Sequence, residues 1–237
     1  MKKLYLLPNL LSPSSTWQFS PPPIDALIAE SSRGGRAYLK RFFSSLSLPL
    51  YLLNEHTKEV DKLLEIQETN VGLVVDAGLC CIADPGAKLI EQAHKQGITV
   101  HTYPGPSSIL MALQLSGLTG QKFYFHGYLP KDKDLLSSSI KKMEKNVTHI
   151  FIETVYRNKK LLDCLLKAGS PHDHLCLAFD LTGEKEKVFS LSLKTWIEKP
   201  PSIEEYLQFP CIFLFYPTLQ EKRENGKTYQ KKTRYKF

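Results

Sequence analysis

Val74-Val75-Asp76-Ala77-Gly78-Leu79-Cys80-Cys81-Ile82-Ala83-Asp84-Pro85-Gly86 is the stretch on which the fold turns. It begins inside a compact, β-branched apolar run, 71–75, the pattern of a central strand covered on both faces of a sheet. The run stops at a carboxylate, a small residue and a glycine. Asp-Pro-Gly then leads into a helical stretch, 87–96, with Gly97 placed to end it. Strand, polar loop and helix in that order form the unit of an open α/β sheet, and such sheets bind ligands just beyond the carboxyl ends of their strands. Gly78 lets backbone approach a ligand closely. Asp76 can accept hydrogen bonds from a ribose or an ammonium group. Asp84 is expected to cap the following helix, where a carboxylate contributes about 0.3–1 kcal/mol.

The alternation extends outward from this loop. Upstream lie a short apolar strand, 3–7, ending at Pro8, and a loop rich in serine and proline, 9–23. A strand over 24–30, a basic helix over 33–43 with Ser32 as its expected N-cap, and an apolar run, 48–53, come next. Val60, Leu63, Leu64 and Gln67 predict a helix over 57–67. Downstream, a strand over 98–103 is closed by Pro104-Gly105-Pro106, a rigid turn. Ser107 and Ser108 then bring hydroxyls and helix N–H groups to the same sheet edge, before a helix through Leu115. Short connections between alternating strands and helices argue for a largely parallel sheet.

Beyond 117–121 the rhythm changes. Strands are expected over 123–128, 149–153, 174–181 and 211–216, and an alternating stretch over 187–196. Helices are expected over 132–145 and 157–167. The fold class is therefore α/β with two α/β domains: 1–117 with a mostly parallel sheet, and 118–218 with a mixed one. A basic tail, 219–237, expected to be flexible, follows.

Composition narrows the function classes. The chain has 237 residues, 42% of them hydrophobic and 23% charged, enough to bury a core without disulfide staples. Cys80, Cys81, Cys164, Cys176 and Cys211 form no C-x-x-C pair and read as reduced thiols, which points to the cytoplasm. No apolar run approaches the ~20 residues of a membrane span. Net charge is +7, and the stretch 221–237 carries seven basic against two acidic residues. Such a tail suits a polyanionic partner or serves as a solvated end. Arg33, Arg36, Lys40 and Arg41 share one face of the basic helix and are candidate nucleic-acid contacts, or an ordinary solvated face. G-x-G-x-x-G, the P-loop, G-x-S-x-G and H-E-x-x-H are all absent, so neither a dinucleotide fingerprint nor a metal site is expected.

The ordered motifs resemble those of the tetrapyrrole methylase superfamily, the class III methyltransferases that use S-adenosylmethionine (SAM). They are Asp76-Ala77-Gly78 with Ala83-Asp84-Pro85-Gly86, Gly105-Pro106-Ser107-Ser108, Ser116-Gly117, Gly127-Tyr128-Leu129-Pro130, Phe151-Ile152-Glu153-Thr154 with Arg157, and Ala178 to Thr182. Within the superfamily the set is similar to the branch of ribosomal RNA small subunit methyltransferase I, which methylates a ribose 2′-hydroxyl. Two departures stand out: Asn9 follows Pro8 where the family often has glycine, and Leu79-Cys80 replaces the usual small residue and proline.

The resemblance implies two α/β domains with SAM in the cleft between them, and a homodimer. Carried over residue by residue, it implies a donor site of Pro8, Asp76, Ala77, Gly78, Ile82, Ser107 and Ser108 from the first domain. Ile152, Glu153, Ala178 and Thr182 are its contributions from the second. Glu153 and Asp76 are the candidate catalytic bases, although either can instead bind the donor or serve a structural role. The activity implied is ribosomal RNA 2′-O-methylation. Methylation of a tetrapyrrole or other small molecule, and SAM binding without catalysis, are the alternatives.

Overall fold

The computed structural model of the chain describes residues 1–43 and 47–219. The first sheet holds β1 (Lys3–Leu6), β2 (Ala26–Ala29), β3 (Leu50–Leu52), β4 (Asn70–Val74) and β5 (Thr99–Thr102) in the order β3-β2-β4-β1-β5. Every pairing in it is parallel, as the alternation predicts. Side chains along a strand point to opposite faces in turn, so each strand feeds two cores. Leu4, Ile28, Val71 and Leu73 meet Leu89 and Ala93 of α2 (Ala87–Lys95) on one face. On the other, Leu27, Ala29 and Val74 meet Tyr38 and Leu39 of α1 (Ser32–Phe42).

Three local expectations are corrected here. Helix α1 starts at Ser32, and its cap is Ser31, whose hydroxyl accepts from Gly34 N at 2.9 Å. The helix expected over 57–67 shrinks to a short 3-10 turn, Val60–Leu63. Its would-be first turn is spent on a loop, in which Asn54 N donates to Thr57 Oγ1 and Thr57 N to Asn54 O, while Glu59 offers no side-chain cap. Val60 and Leu64 still anchor the segment in the core. Asp84 does not cap α2; that position is Gly86, at φ +135°, without a side-chain cap.

The second sheet is mixed. It holds β6 (Phe123–Tyr128), β7 (Thr148–Glu153), β8 (His174–Phe179), β9 (Lys187–Ser192) and β10 (Cys211–Tyr216) in the order β6-β7-β10-β8-β9. β6 and β7 are parallel and the remaining pairs antiparallel. One face is covered by α3 (Ser108–Ser116), whose Ile109, Ala112 and Leu113 pack on Ile150, Cys176, Ala178 and Leu214. This helix precedes residue 117, so the chain crosses to the second sheet at Pro104-Gly105-Pro106. The other face is covered by α4 (Lys133–Lys141), α5 (Asn158–Ala168) and α6 (Leu193–Glu198), around Phe151, Leu165, Phe179 and Phe213. The alternating stretch 187–196 divides into β9 and α6, because Ser192 caps the helix by accepting from Thr195 N at 3.2 Å.

Among the described residues no helix is long and apolar enough to cross a membrane. Apart from Leu219, the basic tail lies outside the described residues.

Candidate active site between the two sheets

The segments that follow β1, β4 and β5 face the carboxyl ends of β7 and β8 and the start of β10 across a cleft of about 180 Å³. Ala77 and Leu11 line it from the first sheet, and Ser108 from the start of α3. Ile152, Glu153, Ala178, Asp180, Leu181 and Ile212 line it from the second. Five residues expected at the donor site, Ala77, Ser108, Ile152, Glu153 and Ala178, thus come together, although strands β5, β6 and β7 lie between Ala77 and Ala178 in the chain.

The remaining expected residues stand around this cleft. Asp76 lines a second, adjoining groove of about 180 Å³ with Asn9, Ser12, Gly34, Tyr38 and Arg41, and Leu11 borders both spaces. Asp76 Oδ1 accepts from the Ser31 hydroxyl at 2.8 Å, and its N–H donates to Glu30 Oε2 at 3.0 Å. Only a glycine at position 34 lets this carboxylate lie over the start of α1, since a Cβ there would overlap Asp76 Oδ1. Gly78 sits at φ +76° and exchanges backbone hydrogen bonds with the first loop, donating to Leu10 O and accepting from Asn9 N. Ser107 is the cap of α3. Pro8 is buried against Gly105, where a Cβ would overlap its ring. Ile82 is exposed and does not line the cleft.

Thr182 is held at φ +66°, its N–H donating to Glu186 Oε2 at 2.7 Å. Its hydroxyl is buried and has no hydrogen-bond partner.

Glu153, at the end of β7, has a side chain that is 0% exposed. Oε1 accepts from Thr154 N at 2.7 Å and from the Thr154 hydroxyl at 3.1 Å. Arg157 Nη2 lies 3.1 Å from Oε2 as an ion pair, yet without hydrogen-bond geometry, so Oε2 keeps an unfilled acceptor position. A buried carboxylate with one open acceptor position is suited to holding a donor group.

The rim is acidic. Burial first, then the neighbouring Glu30 and Asp76, push the Asp84 carboxyl up to about 6. Tyr128 reaches the same rim: burial, then Asp84, Glu153 and Glu30, raise its phenol above the ordinary range. A crowd of carboxylates that repel one another favours a cationic ligand.

Arg33, Arg36, Lys40 and Arg41 are all exposed on α1 and pair with no acidic side chain among the described residues. Arg41 enters the groove beside Asp76, and its Nη2 donates to Pro13 O at 3.4 Å.

Sequence reasoning missed Leu11, Asp180, Leu181 and Ile212 in the cleft, and the part played by Asn9. Asn9 Nδ2 donates to Val75 O at 2.8 Å and to Asp76 O at 3.1 Å, tying the first loop to the end of β4. An amide side chain directly after a strand-ending proline is a local signal for such a clamp.

The profile of the family described as Tetrapyrrole (Corrin/Porphyrin) Methylases matches residues 24–196. Ribosomal RNA small subunit methyltransferase I of Halalkalibacterium halodurans is 34% identical over 169 residues, covering 68% of this chain and 57% of that protein. The protein of the same name from Thermotoga maritima is 36% identical over 141 residues, covering 56% and 61%. The chain thus spans about three fifths of the length of these curated relatives. Among solved structures, uroporphyrin-III-C-methyltransferase from Thermus thermophilus has a TM-score of 0.54 at 16% identity, covering 91% of this chain and 92% of that one. The methyltransferase CobJ has a TM-score of 0.54 at 14% identity, covering 85% and 86%. At these identities the likeness establishes the two-domain α/β fold.

Proposed function

We propose, from the premise that the chain belongs to the tetrapyrrole (corrin/porphyrin) methylases, that it transfers a methyl group from S-adenosylmethionine to a ribose 2′-hydroxyl of small-subunit ribosomal RNA. The observation that carries this reading is the convergence of Ala77, Ser108, Ile152, Glu153 and Ala178 on one cleft between the sheets. The curated relatives named for ribosomal RNA methylation support the choice of substrate.

The residues present fit the donor. Apolar side chains of Leu11, Ile152, Leu181 and Ile212 line the cleft. Two buried polar atoms, Glu153 Oε2 and Thr182 Oγ1, lack hydrogen-bond partners. The rim of Glu30, Asp76 and Asp84 suits a positively charged ligand. When bound, SAM supplies an electrophilic methyl on a sulfonium.

The protein's own work is positioning, which is worth up to about 7–11 kcal/mol. Leu11, Ile152 and Ile212 exclude water from the cleft. Glu153 binds and orients a hydroxyl or ammonium group while Arg157 balances its charge. Asp76, exposed and facing the groove beside Arg41, accepts the proton of the ribose hydroxyl at Oδ2, since Oδ1 already takes the Ser31 hydroxyl. The basic face of α1 attracts phosphates to that groove.

Ribosomal RNA as substrate belongs with a cytoplasmic location, and five free cysteines suit a reducing compartment. The homodimer implied by the family is part of the proposal and is checked by sedimentation. The direct test incubates the protein with methyl-labelled donor and undermethylated small ribosomal subunits. Label in a 2′-O-methylribose of the RNA is expected; label in a small molecule, or none, contradicts the reading.

A further inference from the structure

Strand β6 is an edge strand, and exposed rings recur along it. Phe123 and Phe125 turn inward toward α3, whereas Tyr124, His126 and Tyr128 are exposed at alternate positions. Tyr124 is 41% and Tyr128 58% exposed, unusual for large aromatic side chains in a strand. The three line a single open groove of about 620 Å³ between β6, β7 and α4. The pairing with β7 slips by one residue between Phe125 and Tyr128, where Gly127 adopts φ +63°, so that Tyr128 pairs with Ile152. A bulge of this kind re-aims a side chain at a sheet edge, and here it leaves Tyr128 in the groove.

The row is ordered. His126 stacks on His149 with ring centroids 5.1 Å apart, and His126 Nε2 lies 2.8 Å from His149 Nδ1. The Tyr124 and His126 rings are 6.3 Å apart. Burial holds both imidazoles below their usual range, so the stack is uncharged at neutral pH. Lys122 lies over the Tyr124 ring, and Lys142 lines the groove. The acidic side chain there, Glu144, is balanced by Lys122 and accepts the Tyr124 hydroxyl at 2.8 Å.

The row also has a direction. It runs toward the carboxyl end of β6, where Tyr128 feels the charges of Asp84, Glu153 and Glu30 at the cleft. Tyr156, 80% exposed, stands beside it.

We propose that Tyr124, His126 and Tyr128 form a stacking track for single-stranded nucleotides flanking the one that enters the cleft. This rests on the RNA reading given above. Residues two apart on a strand are about 6.6 Å apart, wider than the ~3.4 Å per nucleotide of a duplex strand. The ladder therefore matches bases pulled out of a helix, which proteins hold on aromatic faces.

The test is fluorescence anisotropy with an end-labelled single-stranded RNA of about 12 nucleotides. Tyr124→Ala and Tyr128→Ala are each expected to weaken binding about tenfold, while Tyr124→Phe and Tyr128→Phe retain it. Calorimetric binding of S-adenosylhomocysteine stays unchanged in the two Tyr124 variants. A 2-aminopurine base in the RNA is expected to be quenched on binding the unaltered protein; an unquenched probe overturns the track even where an alanine variant fails to fold. Unchanged RNA affinity in the alanine variants overturns it as well and leaves the proposed function standing. Dissociation of a dimer by those variants, with RNA affinity unchanged, assigns the face to a second copy and also overturns it. Binding of S-adenosylhomocysteine without any binding of RNA overturns the RNA reading itself, and the track with it.

Discussion

Glu153 and Asp84 show how two carboxylates in one crevice are given different tasks. Glu153 is balanced by Arg157, whose side chain is 12% exposed against 0% for the glutamate. Removing one member of such a pair strands a buried charge, at a cost of about 3–5 kcal/mol. Arg157→Ala is expected to lose stability on that scale in urea unfolding, and Glu153→Gln added to it to recover most of the loss. Asp84 pairs with no cationic side chain among the described residues, and its carboxyl is raised to about 6 by burial and by Glu30 and Asp76. The folded state therefore holds this proton more tightly than the unfolded chain, whose aspartates titrate near ~3.9. The stability gained from the protonated form is complete below that value and is lost as pH rises through about 6. Asp84→Asn is expected to raise the melting temperature relative to the unaltered protein at pH ~7.5 and to leave it unchanged at pH ~2.5, where both carry a neutral side chain in the folded and unfolded states. A change of equal size at both pH values would assign the effect to packing.

At the scale of elements, α1 joins the two halves of the proposed chemistry. Its first turn holds Asp76 through Ser31 and Gly34, and its outer face presents Arg33, Arg36 and Lys40. Arg36→Glu combined with Lys40→Glu is expected to weaken RNA binding uniformly across sequences and to flatten its dependence on salt by about two phosphate contacts. S-adenosylhomocysteine binding in the same variant should not change. Unaltered salt dependence would make this an ordinary solvated face. Much at this scale is readable in the sequence. β6 and β10 begin and end where the aromatic and apolar runs do, because each is bounded by turn residues. The segment 57–67 is not readable in this way, since Asn54 and Thr57 take its first turn for a side-chain-stabilised loop that helical spacing cannot reveal. Asp84 misleads for a related reason. Cys81 and Ala83, at φ +67° and +70°, bend the loop, and the carboxylate lies near Glu30 and Asp76 instead of capping α2.

For the whole molecule, the decisive fact is the opposition of two sheets whose carboxyl ends share one gap. Each sheet is foreshadowed by strand and helix order, and the loop at Asp76 marks its own edge. That Ala77 and Ala178 meet is a property of tertiary packing: α3 leaves the first sheet at Pro104-Gly105-Pro106 and packs on β8 and β10, bringing the second sheet over the first. Local periodicity contains no information about that crossing, and only the resemblance of ordered motifs pointed to it. For the same reason Leu11, which borders both the cleft and the groove, carries no mark in the sequence. The central claim is that this gap holds the methyl donor, and titration calorimetry with S-adenosylhomocysteine on the unaltered protein and on Ala77→Trp tests it most directly. Binding of one ligand per chain that disappears in the variant, with the variant still folded, is the expected result. Absence of binding by the unaltered protein, or equal affinity in Ala77→Trp, would contradict it.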